Sequence, residues 1–164
     1  MPAIYGTATV AGSGPEAHRL EALGRENFAR QSAAVTFARQ AADRRRSADD
    51  MLFEAWAGCR NPGWDGAGAA AVPKERLAVA IQLVRSLPIQ YPPPEATGEP
   101  DGDFSLEWYR GRRRVLAVSV AGGGLLHWSA LIGDDDPRGT SRYDPRAGDA
   151  VPEILVQILS RIYR

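Results

Sequence analysis

Residues 104–120, FSLEWYRGRRRVLAVSV, constrain the fold more than any other stretch of the chain. Phe104, Leu106 and Trp108 alternate with Ser105, Glu107 and Tyr109. Past an arginine-rich reversal, Leu116, Val118 and Val120 alternate with Val115, Ala117 and Ser119. Such period-two alternation marks strands with one buried face. Both apolar sets carry even numbers, so antiparallel pairing on one face requires partner numbers with an even sum and an odd number of loop residues. A two-residue Arg-Gly turn would set Trp108 against Arg113 and send the two sets to opposite faces. The expected reversal is therefore a three-residue loop, Tyr109-Arg110-Gly111, with Gly111 in the left-handed conformation. AGGG makes the next reversal, LLHWSALI forms a third strand, and GDDDPRGTSRYDPRAGD reads as a long polar loop.

The rest of the pattern is helical. Pro15 and Glu16 suit a first helical turn, and no proline follows until Pro62. Leu20, Leu23, Phe28, Val35 and Ala38 give a thin apolar stripe, on one long helix or on two that break near Gly24. Ser47, with Asp49 and Asp50 behind it, reads as a fresh helix start whose face is Met51, Leu52, Ala55 and Trp56. Pro73 opens a helix over 73–87 with Leu77, Ala80, Ile81, Val84 and Leu87 on one side. Pro88 ends it, and IQYPPPEATGEPDGD reads as an extended surface connector. Pro152 opens a last helix over 152–163, faced by Ile154, Leu155, Ile158, Leu159 and Ile162. Helices, then strands, then a helix argue for α+β and against a doubly wound sheet. The expectation is a mobile tail over 1–14 and one α+β domain over 15–164: a helical N-terminal half (15–58), the helix at 73–87, a three-stranded antiparallel meander (103–132) and a C-terminal helix.

Composition narrows the function classes. The 20 basic and 20 acidic residues balance to zero net charge, so no global field favours nucleic acid or an anionic membrane. Lys74 is the only lysine, a bias that high-GC codon usage explains. Cys59 is alone, which excludes an internal disulfide framework and fits a cytoplasmic setting. The first twenty residues lack the basic start and apolar core of a signal peptide, and no window approaches a membrane span.

No convergent catalytic set stands out, and neither a cofactor nor a metal is expected. His18 lies in a polar helix start, and His127 alternates along a strand without a nucleophile beside it. Asp134, Asp135 and Asp136 lack the spacing of a calcium loop. GAGAAA precedes a helix N-terminus, where anions are favoured, but Pro73 removes an amide donor there. Arg44, Arg45 and Arg46 are explained as the basic end of a helix. Arg110, Arg112, Arg113 and Arg114 with Tyr109 have no such explanation and form the leading partner-binding surface. The leading reading is a non-enzymatic interaction module that binds a protein partner through this hairpin or through the N-terminal helix, and a nucleic-acid-binding accessory protein ranks second. A hydrolase using Asp65 or Asp101 with His127 is a third reading. The odd-numbered sheet face, with Val115, Ala117, Leu125 and Leu131, is too apolar to be fully wet: either the N-terminal helices cover it, which is the expectation, or it is an interface between subunits or with a partner.

The stretch NPGWDGAGA, a helix, and then EPDGDFSLEW resembles a loose group of small bacterial and phage-borne proteins. Their recurring pattern is a Trp-Asp-Gly-x-Gly-Ala turn, a helix, and a Pro-Asp-Gly turn leading into a Leu-Glu-Trp strand. The matching residues are Trp64, Asp65, Gly66, Gly68 and Ala69, then Pro100, Asp101, Gly102, Leu106, Glu107 and Trp108. Pro62-Gly63 ahead of Trp64 departs from the pattern, and the match spans 61–132. The resemblance implies an α+β module of mobile elements, or of the neighbourhood of defence and toxin–antitoxin genes, acting as an accessory or interaction protein. It implies no shared activity. Trp64, Asp65, Gly66 and Gly68 are expected to serve as a structural turn, with Trp64 a buried wedge between two helices.

Overall fold

The computed structural model describes residues 15–164, with side chains given from Arg19 onward except at 20 and 21. The tail expected over 1–14 and the side chains of His18 and Leu20 lie outside the described residues. The chain divides into two compact units, Met1–Ala42 and Asp43–Arg164. The described residues form helix α1 (Pro15–Cys59), α2 (Lys74–Ser86), strands β1 (Glu95–Gly98), β2 (Phe104–Gly111), β3 (Arg114–Val120), β4 (Leu125–Ile132) and β5 (Arg138–Arg142), and α3 (Glu153–Ile162).

The α+β class holds, but the meander has five strands rather than three, in the order β1-β2-β3-β4-β5, all antiparallel. The added strands were expected as loops, and both lie at sheet edges. β1 is EATG within the proline-rich connector and β5 is RGTSR within the polar loop. Neither carries an apolar alternation, because an edge strand gains its place from backbone bonds to a neighbour. Each also has a glycine where an indole packs. A Cβ on Gly98 would stand 2.6 Å from Cys59 Cβ and 3.0 Å from Trp64 Cζ2, and one on Gly139 would stand 2.6 Å from Trp128 Cζ2.

The first hairpin corrects the expected loop. Its parity is even, with Trp108 opposite Leu116, but the pairing runs on through Tyr109–Val115 to Gly111–Arg114. The tip is Arg112-Arg113, and a bulge at Arg110 absorbs the odd residue. Gly111 has the expected positive φ, at 147°, and Arg113 at the tip also takes the left-handed conformation, at φ 61°. A non-glycine residue there needs outside support. It has it: Gly133 N–H donates to Arg113 O at 3.0 Å, and the Arg113 guanidinium donates to Gly133 O.

Two helical expectations also fail. α1 runs unbroken through Gly24 and Ser47, so the Ser47 cap signal is unused and Arg44–Arg46 stand mid-helix. Their expected role at a helix end is therefore wrong. A cap stabilises amides left orphaned by a helix start, and a chain already helical has none to offer. Asp49 instead accepts both nitrogens of Arg85 on α2.

Within residues 43–164, one face of the sheet carries the core. Phe104, Leu106, Trp108, Leu116, Val118, Val120 and Leu126 are buried against Leu52, Leu77, Ala80, Leu83, Leu155, Ile158, Leu159 and Ile162. These are the apolar stripes of α2 and α3 and the last turns of α1. Met51 and Ile154, expected in those stripes, are exposed. Trp108 Nε1 donates to Pro92 O at 3.0 Å, which ties the proline connector to the core. Tyr143, buried in the segment after β5, gained no apolar pattern in the sequence.

Candidate functional site

The hairpin arginines do not form a free basic patch. The Arg110 guanidinium sits 5.5 Å from the Tyr163 ring centroid. Arg113 is held on the Gly133 turn and lies 3.7 Å from Asp134. Arg114 Nη1 donates to the Arg164 carbonyl at 3.4 Å. Only Arg112 among the four has no such contact, and Tyr109 beside it is exposed. Three of the cations therefore bind the hairpin to its own C-terminus and to the neighbouring reversal, which gives the cluster the structural role that the sequence did not reveal.

The two glycine-rich turns form one joint. Asp65 Oδ1 accepts from the amides of Ala67 at 2.8 Å and Ala69 at 3.0 Å. Those amides hold the Asp65 carboxyl below the usual carboxylate range, because they stabilise its charged form. Gly63 N donates to Ala69 O, Gly66 N donates to Gly63 O, and both glycines adopt positive φ, as does Gly68. Trp64 Nε1 donates to Ala70 O at 3.1 Å, and Ala70 N donates to Pro100 O at 2.8 Å. On the other side, a Cβ on Gly102 would meet Ala71 O at 3.1 Å. The two turns thus touch through Ala70 and Ala71, although 36 positions separate Asp65 from Asp101 in the chain. Trp64 is half-buried rather than buried, and it leans on β1 at Gly98.

The reading of His127 with Asp65 or Asp101 finds no support in this geometry. The Asp65 carboxylate is taken up by its own turn, and Asp101 Oδ1 accepts from Asp103 N at 3.2 Å. His127 Nδ1 bonds Thr140 Oγ1 at 2.9 Å, across the sheet. Among the described residues, no group of three or more His, Cys, Asp or Glu is placed to hold a metal ion, and no helix is long and apolar enough to cross a membrane. Cys59 is buried, and that burial pushes its thiol pKa up, away from the reactive thiolate.

Two further surfaces bear on function. The odd-numbered sheet face is uncovered: Val115, Ala117 and Leu125 are half-buried, and Leu131 and His127 are exposed. Its expected cover by helices is wrong, because α2, α3 and the last turns of α1 all pack on the even face. The second is the helix of the first unit. Over residues 22–42 every side chain is exposed except the half-buried Ala41, and large apolar groups stand among them. No protein-family model, curated protein or solved structure matches this chain.

Proposed function

We propose that the protein is a non-enzymatic interaction module, and that its principal partner-binding element is the N-terminal helix over residues 22–42. One observation carries this reading. Leu23, Phe28, Val35 and Phe37 are 52%, 73%, 68% and 61% exposed. An isolated helix gains little stability from propensity alone and depends on burying an apolar stripe. Phe28 and Val35 are seven positions apart and fall on one line of the helix; Leu23 and Phe37, fourteen apart, fall on another. Between the lines run Ala34 and Ala38, small residues that let a second backbone approach. At 100° per residue the two lines stand roughly 120–180° apart around the helix, so a protein partner buries both only by clasping the helix from two sides. Tyr109 and Arg112 at the hairpin tip form a lesser contact surface.

The shared Trp-Asp-Gly and Pro-Asp-Gly turns motivate placing this activity in an accessory protein of a mobile element, or of a defence or toxin–antitoxin system. A lone buried thiol suits the cytoplasm. Capture from a native host lysate, with the full chain as bait, tests the assignment. Phe28→Glu with Val35→Glu abolishes capture of the specific partner while melting temperature stays unchanged, whereas Tyr109→Ala with Arg112→Ala weakens it only slightly. Retention of every partner by the helix variant would remove the helix assignment. Nucleic acid among the captured material, with an affinity that falls steeply as salt rises, would replace the protein partner with the nucleic-acid reading.

A further inference from the structure

Charge is segregated across the open face of the sheet. One cross-strand row runs Glu95–Glu107–Ala117–Ser129–Arg138 from β1 to β5, and the next runs Thr97–Ser105–Ser119–His127–Thr140. A third, Tyr109–Val115–Leu131, is apolar apart from the tyrosine hydroxyl. Beyond the end of β1, Glu99 shares a shallow depression with Ser105, Ser119, His127 and Arg138, which places it on this same face. Arg142 stands on β5 beside Leu125. The β1–β2 side is therefore acidic through Glu95, Glu99 and Glu107, and β5 carries Arg138 and Arg142.

We propose that this face is a twofold interface between two copies of the chain. A second copy turned by a half-rotation about an axis parallel to β3 meets the first face to face. The operation keeps each row at its own height and lays β1 over β5 and β2 over β4. Glu95 then opposes Arg138 of the second copy, Glu99 opposes Arg142, Ser105 opposes His127, and Tyr109 opposes Leu131. Val115 and Ser119 lie on the axis and meet their own counterparts, as an isologous contact requires. A half-rotation about an axis across the strands instead stacks β1 on β1 and β5 on β5, so that the acidic side meets the acidic side and the basic side the basic. Charge complementarity thus selects one of the two face-to-face arrangements.

Five strands about 4.8 Å apart and four rows about 6.7 Å apart give a face of roughly 600 Å² per copy, or ~1,200 Å² in all, within the range of specific interfaces. Aligned sheets pack with their strands within about 30° of each other, so the central rows match best and the rim charges adjust through their long side chains. Arg138 holds Asp136 at 2.9 Å in the single chain. Both groups are solvent-exposed, and an exposed pair of this kind exchanges partners at little cost.

Light scattering on the full-length chain after size-exclusion chromatography tests the proposal, with circular dichroism to confirm the fold of each variant. The wild type runs at twice the monomer mass. Glu95→Arg with Glu99→Arg leaves both sides of the face basic, and Arg138→Glu with Arg142→Glu leaves both acidic, so each double variant alone runs as a monomer. Mixed one to one, the two restore the doubled mass as a heterodimer, because each supplies the charges that the other lacks. A monomeric wild type at high micromolar concentration overturns the proposal, as does a dimer that persists in both double variants. Failure of the mixture to associate also overturns it. The Phe28→Glu, Val35→Glu variant remains dimeric, which separates this interface from the helix surface.

Discussion

Replacing Gly98 with alanine isolates the packing between β1 and the end of α1. The new methyl would stand 2.6 Å from Cys59 Cβ, 2.9 Å from Cys59 Sγ and 3.0 Å from Trp64 Cζ2. Cys59 Cβ is fixed to a helix backbone, so relief requires β1 to move or the indole to swing away. Overpacking of this kind costs about 1–3 kcal/mol. Alanine returns about 0.4–1 kcal/mol by restricting the unfolded chain, since Gly98 does not need positive φ. The expected net loss is about 0–2.6 kcal/mol, centred on about 1.3 kcal/mol, or up to roughly 10 °C in melting temperature. Gly58→Ala is the control. That glycine lies within α1, and a methyl added there meets nothing within 4 Å, so the same substitution stabilises by about 0.5–1 kcal/mol. Urea unfolding followed by tryptophan fluorescence measures both. Native-state thiol labelling reports whether Gly98→Ala also loosens Cys59. A Gly98→Ala chain more stable than the wild type, as Gly58→Ala is expected to be, would refute the packing of β1 beneath Cys59 and Trp64.

Three other outcomes follow from the same geometry. Asp65 has a folded-state pKa below its unfolded value, so its contribution is present above the ordinary carboxylate pKa of about 4 and is lost as pH falls through the folded value. The gap in urea midpoint between wild type and Asp65→Asn therefore narrows on acidification; a gap constant from neutral pH to pH 3 contradicts the amide-bonded carboxylate. Cys59 has a folded-state pKa raised by burial, so its stabilising share is present below the unfolded thiol pKa and fades as pH rises through the folded value. Ellman's reagent accordingly labels the native chain far more slowly than the urea-unfolded chain, and equal rates would mean that the thiol is open. Leu83, fully buried on α2, loses about 2–5 kcal/mol on substitution by alanine, whereas exposed Leu131 loses less than 1 kcal/mol on the same change in dilute solution. Thermal denaturation of the two variants distinguishes them.

Much of the sheet was legible because alternation is a local signal. Phe104, Leu106 and Trp108 announce the buried face of β2 by their spacing alone, and the even parity of the hairpin follows from it. The loop itself was not legible. Parity allows any odd spacing, and the choice between them was made by Arg113, held on the Gly133 turn of a different hairpin. The Ser47 start signal misled for the opposite reason: capping residues favour a helix start only when the chain must begin one there. The arginine cluster looked unexplained because its partners, Tyr163 and the Arg164 carbonyl, lie some fifty positions away.

By itself the sequence determined what depends on neighbours along the chain: the α+β class, the faces of β2, β3, α2 and α3, and the glycine turns around Asp65 and Asp101. The tertiary structure alone decided what depends on distant partners. β1 and β5 are strands because β2 and β4 present them with unpaired amides and carbonyls, and because Gly98 and Gly139 leave room for Trp64 and Trp128. It also decided which sheet face stays open. Periodicity shows that a strand has two faces of different polarity, but only tertiary packing decides that, within residues 43–164, α2, α3 and the last turns of α1 take the even face.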